Sequence, residues 1–158
     1  MIWSVDRLPE TDVFLSAHLR GRERFAEIVS MGIGVFVDIA GAAHYVWRPG
    51  EEELAEHGVH YVRVDDVEDT NLDLPDFAFD RVADALAEAR SKRRTALVFC
   101  AAGAKRSPHL LYGVLRSWGA ATEDAWATVT AGRPFVDPWQ PYLDAAERWV
   151  ASRAPATG

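Results

Sequence analysis

The stretch VFCAAGAKRSP, residues 98–108, carries the residue types from which a phosphate-binding catalytic loop can be built. It contains the only cysteine of the chain, Cys100, followed by small residues and then by Arg106 and Ser107. Small residues, Gly103 among them, let successive backbone N–H groups turn inward around an anion. A helix that begins near Arg106 adds its unpaired N–H groups and its dipole, and the planar guanidinium can bind two anion oxygens.

A cysteine in this position is suited to attack on phosphorus. A helix N-terminus and cationic neighbours favour the thiolate, which is the reactive form of cysteine. The hydroxyl of Ser107 can hydrogen-bond the sulfur and help it to leave in a later step. The alternative is that Cys100 is a small buried hydrophobic residue at the end of an apolar strand, as a lone cysteine usually is. The spacing of the cysteine, glycine, arginine and serine favours the anion-binding interpretation.

The elements that must position this loop alternate between strand and helix patterns. Short β-rich runs predict strands at 34–40, 59–64 and 95–100. Apolar residues at helical spacing predict helices within 22–32, 76–92, 107–119, 122–132 and 140–153. The expected fold class is therefore α/β, with a central, mostly parallel sheet flanked by helices. Ligands bind at the carboxyl ends of the strands in such sheets, and Cys100 lies at one of these ends.

Length, charge and cysteine content favour a single-domain protein and argue against nucleic-acid-binding and membrane-spanning classes. The 158 residues suit a single domain over 1–152 with a flexible tail at 153–158, and RPGEEE, at 48–53, is expected to be a surface loop. The formal net charge of −7 argues against a general affinity for nucleic acid or anionic membranes. No apolar stretch approaches the ~20 residues of a membrane-spanning helix. One cysteine cannot form an internal disulfide, so a cytoplasmic location is expected.

The segment CAAGAKRS matches the Cys-x5-Arg-Ser/Thr signature of the cysteine-dependent phosphatases. The chain most resembles the dual-specificity phosphatases, the small members of the protein-tyrosine phosphatase superfamily. YVRVDDVEDTNL, at 61–72, is similar to the acid-bearing loop of that family. AGRPFVDPWQPYL, at 131–143, is similar to its arginine–proline turn before the last helix. The resemblance implies a protein-tyrosine-phosphatase-like fold.

The resemblance also implies a mechanism that uses protein groups alone. The thiolate of Cys100 would attack phosphorus and form a phosphocysteine, while Arg106 and the loop amides hold the phosphoryl oxygens. Asp66 corresponds to the general acid of the family, which protonates the leaving group and then activates water. The candidate catalytic residues are Cys100, Arg106, Asp66 and Ser107. The candidate substrate-binding residues are Ala101, Ala102, Gly103, Ala104, Lys105 and Arg106.

No metal ion or other cofactor is expected, because the nucleophile and the charge clamp are both protein groups. The histidines show no metal-ligand spacing with one another or with the cysteine. They are His18, His44, His57, His60 and His109.

Two features of the sequence leave alternatives open. Asp65, Asp66 and Asp69 share one loop, so Asp69, and after it Asp65, are the alternatives to Asp66 as the general acid. Phe99 stands where the family usually has a histidine that organises the loop and favours the thiolate. The retained Cys, Arg, Ser and acid favour a working enzyme, and the alternative is a phosphate-binding pseudophosphatase.

The expected partner is a phosphorylated protein or a small phosphoester. Ala101 and Ala102 stand where phosphoinositide phosphatases more often have basic residues, which favours a less charged substrate such as phosphotyrosine. Lys105 beside Arg106 leaves phosphoinositides or nucleotide phosphates as alternatives. A rhodanese-like sulfur carrier also places a cysteine after a strand, but the acid loop and the arginine–proline turn argue against that class.

Overall fold

Strands and helices alternate along the chain in the computed structural model, which describes residues 2–42 and 47–153. The strands are β1 (Asp6–Arg7), β2 (Val13–Ser16), β3 (Ile33–Ile39), β4 (His60–Val64) and β5 (Thr95–Phe99). The helices are α1 (Arg22–Ser30), α2 (Glu51–His57), α3 (Asp76–Ser91), α4 (Arg106–Ser117), α5 (Thr122–Thr130) and α6 (Gln140–Arg153).

The strands form one sheet in the order β1-β2-β5-β3-β4. Only the edge strand β1 is antiparallel to its neighbour, and the other pairs are parallel. β5 therefore lies in the middle of the sheet, between β2 and β3. The nearly continuous apolar sequences of β3 and β5 fit this position, because both faces of a central parallel strand are buried. The α/β class with a mostly parallel sheet is confirmed.

The carboxyl ends of the parallel strands meet around the end of β5. Ser16 of β2 and Asp38 of β3 both lie opposite Phe99 in the strand register. Ile39 of β3 lies opposite Val64 of β4. The residue after β5, Cys100, is thus surrounded by the loops that follow β2, β3 and β4.

Side chains of β5 alternate between two apolar clusters on the two faces of the sheet. Val98 and Cys100 belong to the larger cluster, which α3, α4, α5 and α6 complete. Leu97 and Phe99 belong to a smaller cluster that includes Phe25 of α1. Helix α4, which begins directly after the loop at 100–105, therefore packs on the opposite face of the sheet from Phe99.

Three parts of this fold differ from the sequence-based expectations. RPGEEE was expected to be a surface loop, but its three glutamates begin helix α2, where negative charge complements the helix dipole. The strands β1 and β2 were not predicted, because they are only two and four residues long. Helix α6 continues to Arg153, the first residue of the expected tail, and 154–158 lie outside the described residues.

None of the helices within residues 2–42 and 47–153 is long and apolar enough to cross a membrane.

Candidate active site

The loop between β5 and α4 brings three of the candidate catalytic residues to one place. Cys100 directly follows β5, and Arg106 and Ser107 open α4. Cys100 and Arg106 are each only 3% exposed, and Ser107 is fully buried. Lys105 is the N-cap residue of α4, and its side chain makes no capping hydrogen bond. The N–H groups of the first helical turn are therefore not bound by this side chain and can donate to another acceptor.

Arg133 holds the outer side of this loop. Its buried guanidinium donates from Nε to the carbonyl oxygen of Gly103 and from Nη2 to that of Ala102, each at 3.0 Å. Nη1 forms an ion pair with Asp6 at 2.8 Å, so the buried charge is neutralised. Two loop carbonyls therefore point away from the space between Cys100 and Arg106.

The carbonyls at the two ends of the loop are also engaged. The backbone N–H of His18 donates to Ala101 at 3.2 Å, and the Nδ1 of His109 bonds the carbonyl oxygen of Lys105 at 2.5 Å. The amides of 101–105, in contrast, donate no hydrogen bond to any group in the described part of the chain. A loop whose carbonyls are bound outside and whose amides are unpaired is a cradle for an anion.

Gly103 allows the loop to take this shape. Its φ of +63° lies in the left-handed region, which residues with a Cβ rarely adopt. A Cβ built at this position would lie 2.4 Å from the carbonyl oxygen of Ser16 in β2. The loop therefore approaches the neighbouring strand too closely for any residue other than glycine.

Arg106 connects two loops of the site. One is the loop at 100–106, which we call the phosphate loop, and the other is the acid loop at 65–72. Its Nη1 donates to the carbonyl oxygen of Val67 at 2.9 Å. Nε and Nη2 make no hydrogen bond with any described residue. These two nitrogens form one edge of the guanidinium, which has the geometry to bind two oxygens of a phosphoryl group.

Ser107 does not make the contact expected from the sequence. Its buried Oγ has no hydrogen-bond partner within the described residues, so no bond to the sulfur of Cys100 is formed. A buried hydroxyl without a partner lowers the free energy of unfolding by about 1–3 kcal/mol. Most buried polar groups in proteins have a hydrogen-bond partner, and Ser107 is an exception to this rule.

The acidic residues of the 65–69 segment differ in their contacts. Asp65 forms an ion pair with Arg63 at 3.2 Å, and Asp69 accepts a hydrogen bond from the hydroxyl of Tyr142 at 2.6 Å. Asp66 is exposed, has a left-handed φ of +64°, and makes no hydrogen bond or ion pair with another described residue. Of these three carboxylates, only that of Asp66 has no hydrogen-bond or ion-pair partner among the described residues.

A cluster of side chains fixes the far end of the acid loop at Asn71. Trp139 donates from Nε1 to the backbone carbonyl of Asn71 at 2.8 Å, and the hydroxyl of Tyr142 accepts its backbone N–H at 3.1 Å. Lys105 places its ammonium against the Asn71 side-chain oxygen and 4.1 Å from the centre of the Trp139 ring. The Lys105 side chain, predicted to contact substrate, thus lies against the acid loop. Burial and the nearby Asp69 raise the pKa of Tyr142 to about 12.

His109 joins the phosphate loop to the turn that carries Trp139. Its Nε2 accepts the backbone N–H of Trp139 at 2.9 Å, so Nδ1 carries the proton that is donated to Lys105. Burial lowers the pKa of His109, which keeps the imidazole neutral. Arg133 and Trp139 lie in 131–143, the segment that is similar to the arginine–proline turn of the resembled family, and that similarity was the signal for them. The sequence placed His109 in the first turn of the predicted helix but did not predict its hydrogen bonds.

Phe99 packs behind the loop, and the buried polar residues Ser16 and Asp38 lie opposite it on the neighbouring strands. Its ring contacts that of Tyr61 edge to face, with 6.4 Å between the ring centres. Tyr61 donates to the buried carboxylate of Asp38 at 2.7 Å, and Arg48 neutralises that carboxylate at 2.6 Å. Burial and Asp38 raise the pKa of Tyr61, which therefore remains protonated. At the position where the resembled family usually has a histidine, Phe99 therefore contributes ring packing and no side-chain hydrogen bond.

No group of three or more His, Cys, Asp or Glu side chains that could hold a metal ion is present in residues 2–42 and 47–153. His44 lies outside these ranges.

No known family profile matches this sequence, and no curated protein is similar to it at the sequence level. Solved structures, by contrast, match nearly the whole chain. PTPMT1 in complex with PI(5)P matches with a TM-score of 0.78 at 13% identity, over 94% of this chain and 95% of that one. The human tyrosine phosphatase-like serine/threonine/tyrosine-interacting protein matches with a TM-score of 0.77 at 16% identity, over 94% and 96%. Human DUSP28 matches with a TM-score of 0.73 at 20% identity, also over 94% and 96%.

Proposed function

We propose that this chain, which has the fold of the tyrosine and dual-specificity phosphatases, is a cysteine-dependent phosphatase. Its substrates are phosphomonoesters, and the reaction passes through a phosphocysteine. We further propose phosphotyrosine, phosphoserine or phosphothreonine in proteins as the substrate class.

One observation carries the proposal. The carbonyls of residues 101, 102, 103 and 105 are bound by groups outside the loop, while the amides of 101–105 have no partner among the described residues. Such preorganised donors stabilise the charge of a transferring phosphoryl group without reorganisation during the reaction. The cradle lies between a buried thiol at Cys100 and the unpaired guanidinium edge of Arg106. A phosphate bound there would present its phosphorus to the sulfur.

In the first step, the thiolate of Cys100 attacks phosphorus opposite the leaving oxygen. The S–P bond forms as the P–O bond to the leaving group breaks, and the electron pair of that bond goes to the leaving oxygen. Asp66 donates its proton to this oxygen, so that an alcohol or a phenol departs. Arg106 and the loop amides hold the three remaining phosphoryl oxygens.

In the second step, water hydrolyses the phosphocysteine. Asp66, now ionised, removes a proton from the water while its oxygen attacks phosphorus. The P–O bond forms, the S–P bond breaks, and the thiolate and inorganic phosphate are released. The unpaired hydroxyl of Ser107 is the group suited to stabilise the departing sulfur. Because the mechanism needs a reduced thiol, we also propose a cytoplasmic location.

A phosphate-binding pseudophosphatase is the second candidate, and Phe99 favours it. A phenyl ring cannot donate the hydrogen bonds by which the histidine of the resembled family favours the thiolate. The ring of Phe99 packs against that of Tyr61 and makes no hydrogen bond to the loop, which supports this alternative. In that case, the amide cradle and Arg106 would bind phosphate esters without turnover.

Hydrolysis of p-nitrophenyl phosphate in the presence of a chelator tests the proposal. We expect metal-independent turnover that vanadate inhibits and that Cys100→Ser abolishes, because a serine hydroxyl stays protonated at neutral pH. Thermal unfolding with and without phosphate provides the control for an intact cradle. A wild-type chain that is stabilised by phosphate but does not hydrolyse the ester would establish the pseudophosphatase instead.

A further inference from the structure

The acid loop is attached to the phosphate loop at two points. Arg106 donates to the carbonyl oxygen of Val67, the residue that follows Asp66. The preceding residue of the phosphate loop, Lys105, contacts the side-chain oxygen of Asn71 with its ammonium. Two consecutive cations thus hold positions four residues apart in the acid loop, on the carboxyl side of the proposed acid.

Asn71 is bound at three polar groups by three different side chains. The hydroxyl of Tyr142 accepts its backbone N–H at 3.1 Å, and Nε1 of Trp139 donates to its backbone carbonyl at 2.8 Å. Its side-chain oxygen lies against the ammonium of Lys105, which is also 4.1 Å from the centre of the Trp139 ring. Both polar backbone groups and the side-chain oxygen of this one residue are therefore engaged.

The three partners of Asn71 belong to helices that pack on one another. Lys105 is the N-cap of α4, Tyr142 lies on α6, and Trp139 directly precedes α6. His109 of α4 accepts the backbone N–H of Trp139 at 2.9 Å, which joins the two helices beside Asn71. The side chain of Tyr142 is fully buried, so its hydroxyl is held in place by the core. The position of Asn71 is therefore set by α4 and α6.

Apolar packing does not hold this part of the acid loop. Leu72, the residue after Asn71, is 78% exposed, and residues 68–70 are exposed as well. The backbone of Asn71 has a left-handed φ of +65°, which asparagine tolerates better than most residues do. Polar contacts to a single residue, rather than burial of side chains, thus fix the far end of the loop.

We propose that Asn71, held by Lys105, is a positioning residue for the general acid, which fixes the acid loop, and with it Asp66, against the phosphate loop before a substrate binds. The carboxylate of Asp66 makes no contact of its own with another described residue, so its place depends on the backbone of this loop. A displacement of about 1 Å in an active site can slow a reaction by ~10²-fold. This inference rests on the proposed function, since an acid has a role only where a leaving group departs.

Lys105 acts through Asn71 in this arrangement. The sequence placed Lys105 among the candidate substrate-binding residues, but its ammonium lies against Asn71 and the ring of Trp139. A lysine that bound the phosphoester directly would affect the reaction independently of Asn71. A lysine that holds Asn71 has no separate effect once the side-chain oxygen of Asn71 is removed.

Substitution of Asn71 by glycine removes the side-chain oxygen and still permits the left-handed backbone. We expect kcat/KM for a phosphotyrosine peptide to fall by about tenfold, because the acid is misplaced but still present. Across a series of aryl phosphates, the loss should grow as the leaving phenol becomes less acidic, whereas a loss of folded protein would lower all rates equally. Asn71→Asp keeps the oxygen and tolerates the same φ, so it should restore the leaving-group dependence of the wild type.

Lys105→Met, alone and combined with Asn71→Gly, tests the route through Asn71. We expect the single variant to steepen the leaving-group dependence in the same direction. The double variant should be no slower than Asn71→Gly, because the effects of residues in one hydrogen-bond network do not add. Losses that multiply in the double variant would overturn the proposal, since Lys105 would then act on the substrate directly.

Arg93→Gly is the matched control. Arg93 is also exposed and left-handed, with a φ of +55°, but it lies two residues before β5, at the end of that strand opposite to Cys100. An unchanged leaving-group dependence in Asn71→Gly, an equal change in Arg93→Gly, or no recovery in Asn71→Asp would each overturn the positioning role.

Amide hydrogen exchange tests the fixed loop without turnover. In the ligand-free wild type, we expect residues 66–72 to exchange more slowly than in Lys105→Met or in Tyr142→Phe, which removes the acceptor of the Asn71 N–H. Equal exchange in the three proteins would overturn the proposal. Hydrolysis of p-nitrophenyl phosphate by the wild type reports separately on the proposed function. Without that hydrolysis the phosphatase proposal fails, and the exchange rates alone decide whether Asn71 fixes the loop.

Discussion

Arg106 donates a hydrogen bond of 2.9 Å to the carbonyl oxygen of Val67, the residue that follows Asp66. One guanidinium thus contacts the acid loop through Nη1 and leaves the edge formed by Nε and Nη2 to a phosphoryl group. The position of the candidate acid is therefore coupled to the residue that binds the substrate.

Replacement of Arg106 by lysine tests this double role. An ammonium can replace one hydrogen bond but cannot provide a planar fork, so kcat/KM should fall by about 10²–10³-fold, as for loss of a transition-state donor. Steady-state hydrolysis of an aryl phosphate measures the change, and Arg63→Lys, an exposed arginine paired with Asp65, is the control. A kcat/KM near that of the wild type would show that Arg106 has only a structural role.

Replacement of Asp66 by asparagine tests the acid. Hydrolysis of phosphotyrosine peptides should slow by about 10²-fold or more, the usual effect of losing a general acid, while aryl phosphates with acidic leaving groups should be affected less. Asp69→Asn is the matched control, because its carboxylate is bound by Tyr142. If the leaving-group dependence instead appeared in the Asp69 variant, Asp69 would be the acid.

The sequence predicted the elements that carry the loop more completely than the contacts that shape it. β3, β4 and β5 correspond to the short β-rich runs of the sequence, and the position of Cys100 follows from the end of β5. The outward turn of the carbonyls depends on Arg133 and His109, which lie on other elements. Local patterns contain no information about such long-range hydrogen bonds.

Stability should depend on pH through His109. Burial lowers the pKa of His109 in the folded chain, so between the folded and unfolded values only the unfolded chain binds the proton. The free energy of unfolding should therefore decrease as the pH falls below about 6.5, the ordinary pKa of histidine. Urea unfolding at several pH values measures this. The decrease should be smaller in His109→Gln and unchanged in the control His60→Gln, an exposed histidine. Equal slopes in all three proteins would contradict the assignment.

Phe99→His restores the residue type that the resembled family usually has. An imidazole at this 1% exposed position loses the packing of the phenyl ring on Tyr61 and buries a polar group, so the free energy of unfolding should fall by about 1–3 kcal/mol. We expect faster alkylation of Cys100 by iodoacetamide at neutral pH, because a ring donor next to the loop favours the thiolate. Phe99→Leu keeps the environment apolar and serves as the control. An unchanged alkylation rate in the histidine variant would mean that the loop has adapted to Phe99.

The contacts of Arg133 have a consequence for the order of folding. This side chain joins the phosphate loop to Ser4 and Ile2, which precede it by 129 and 131 residues. Closing such distant segments is slow compared with forming the local helices. The loop can acquire its final shape only after residues 2–4 have come into contact with Arg133. We therefore expect enzymatic activity to return after most of the helical circular dichroism signal when denatured protein is refolded, which makes activity a reporter of the last folding step.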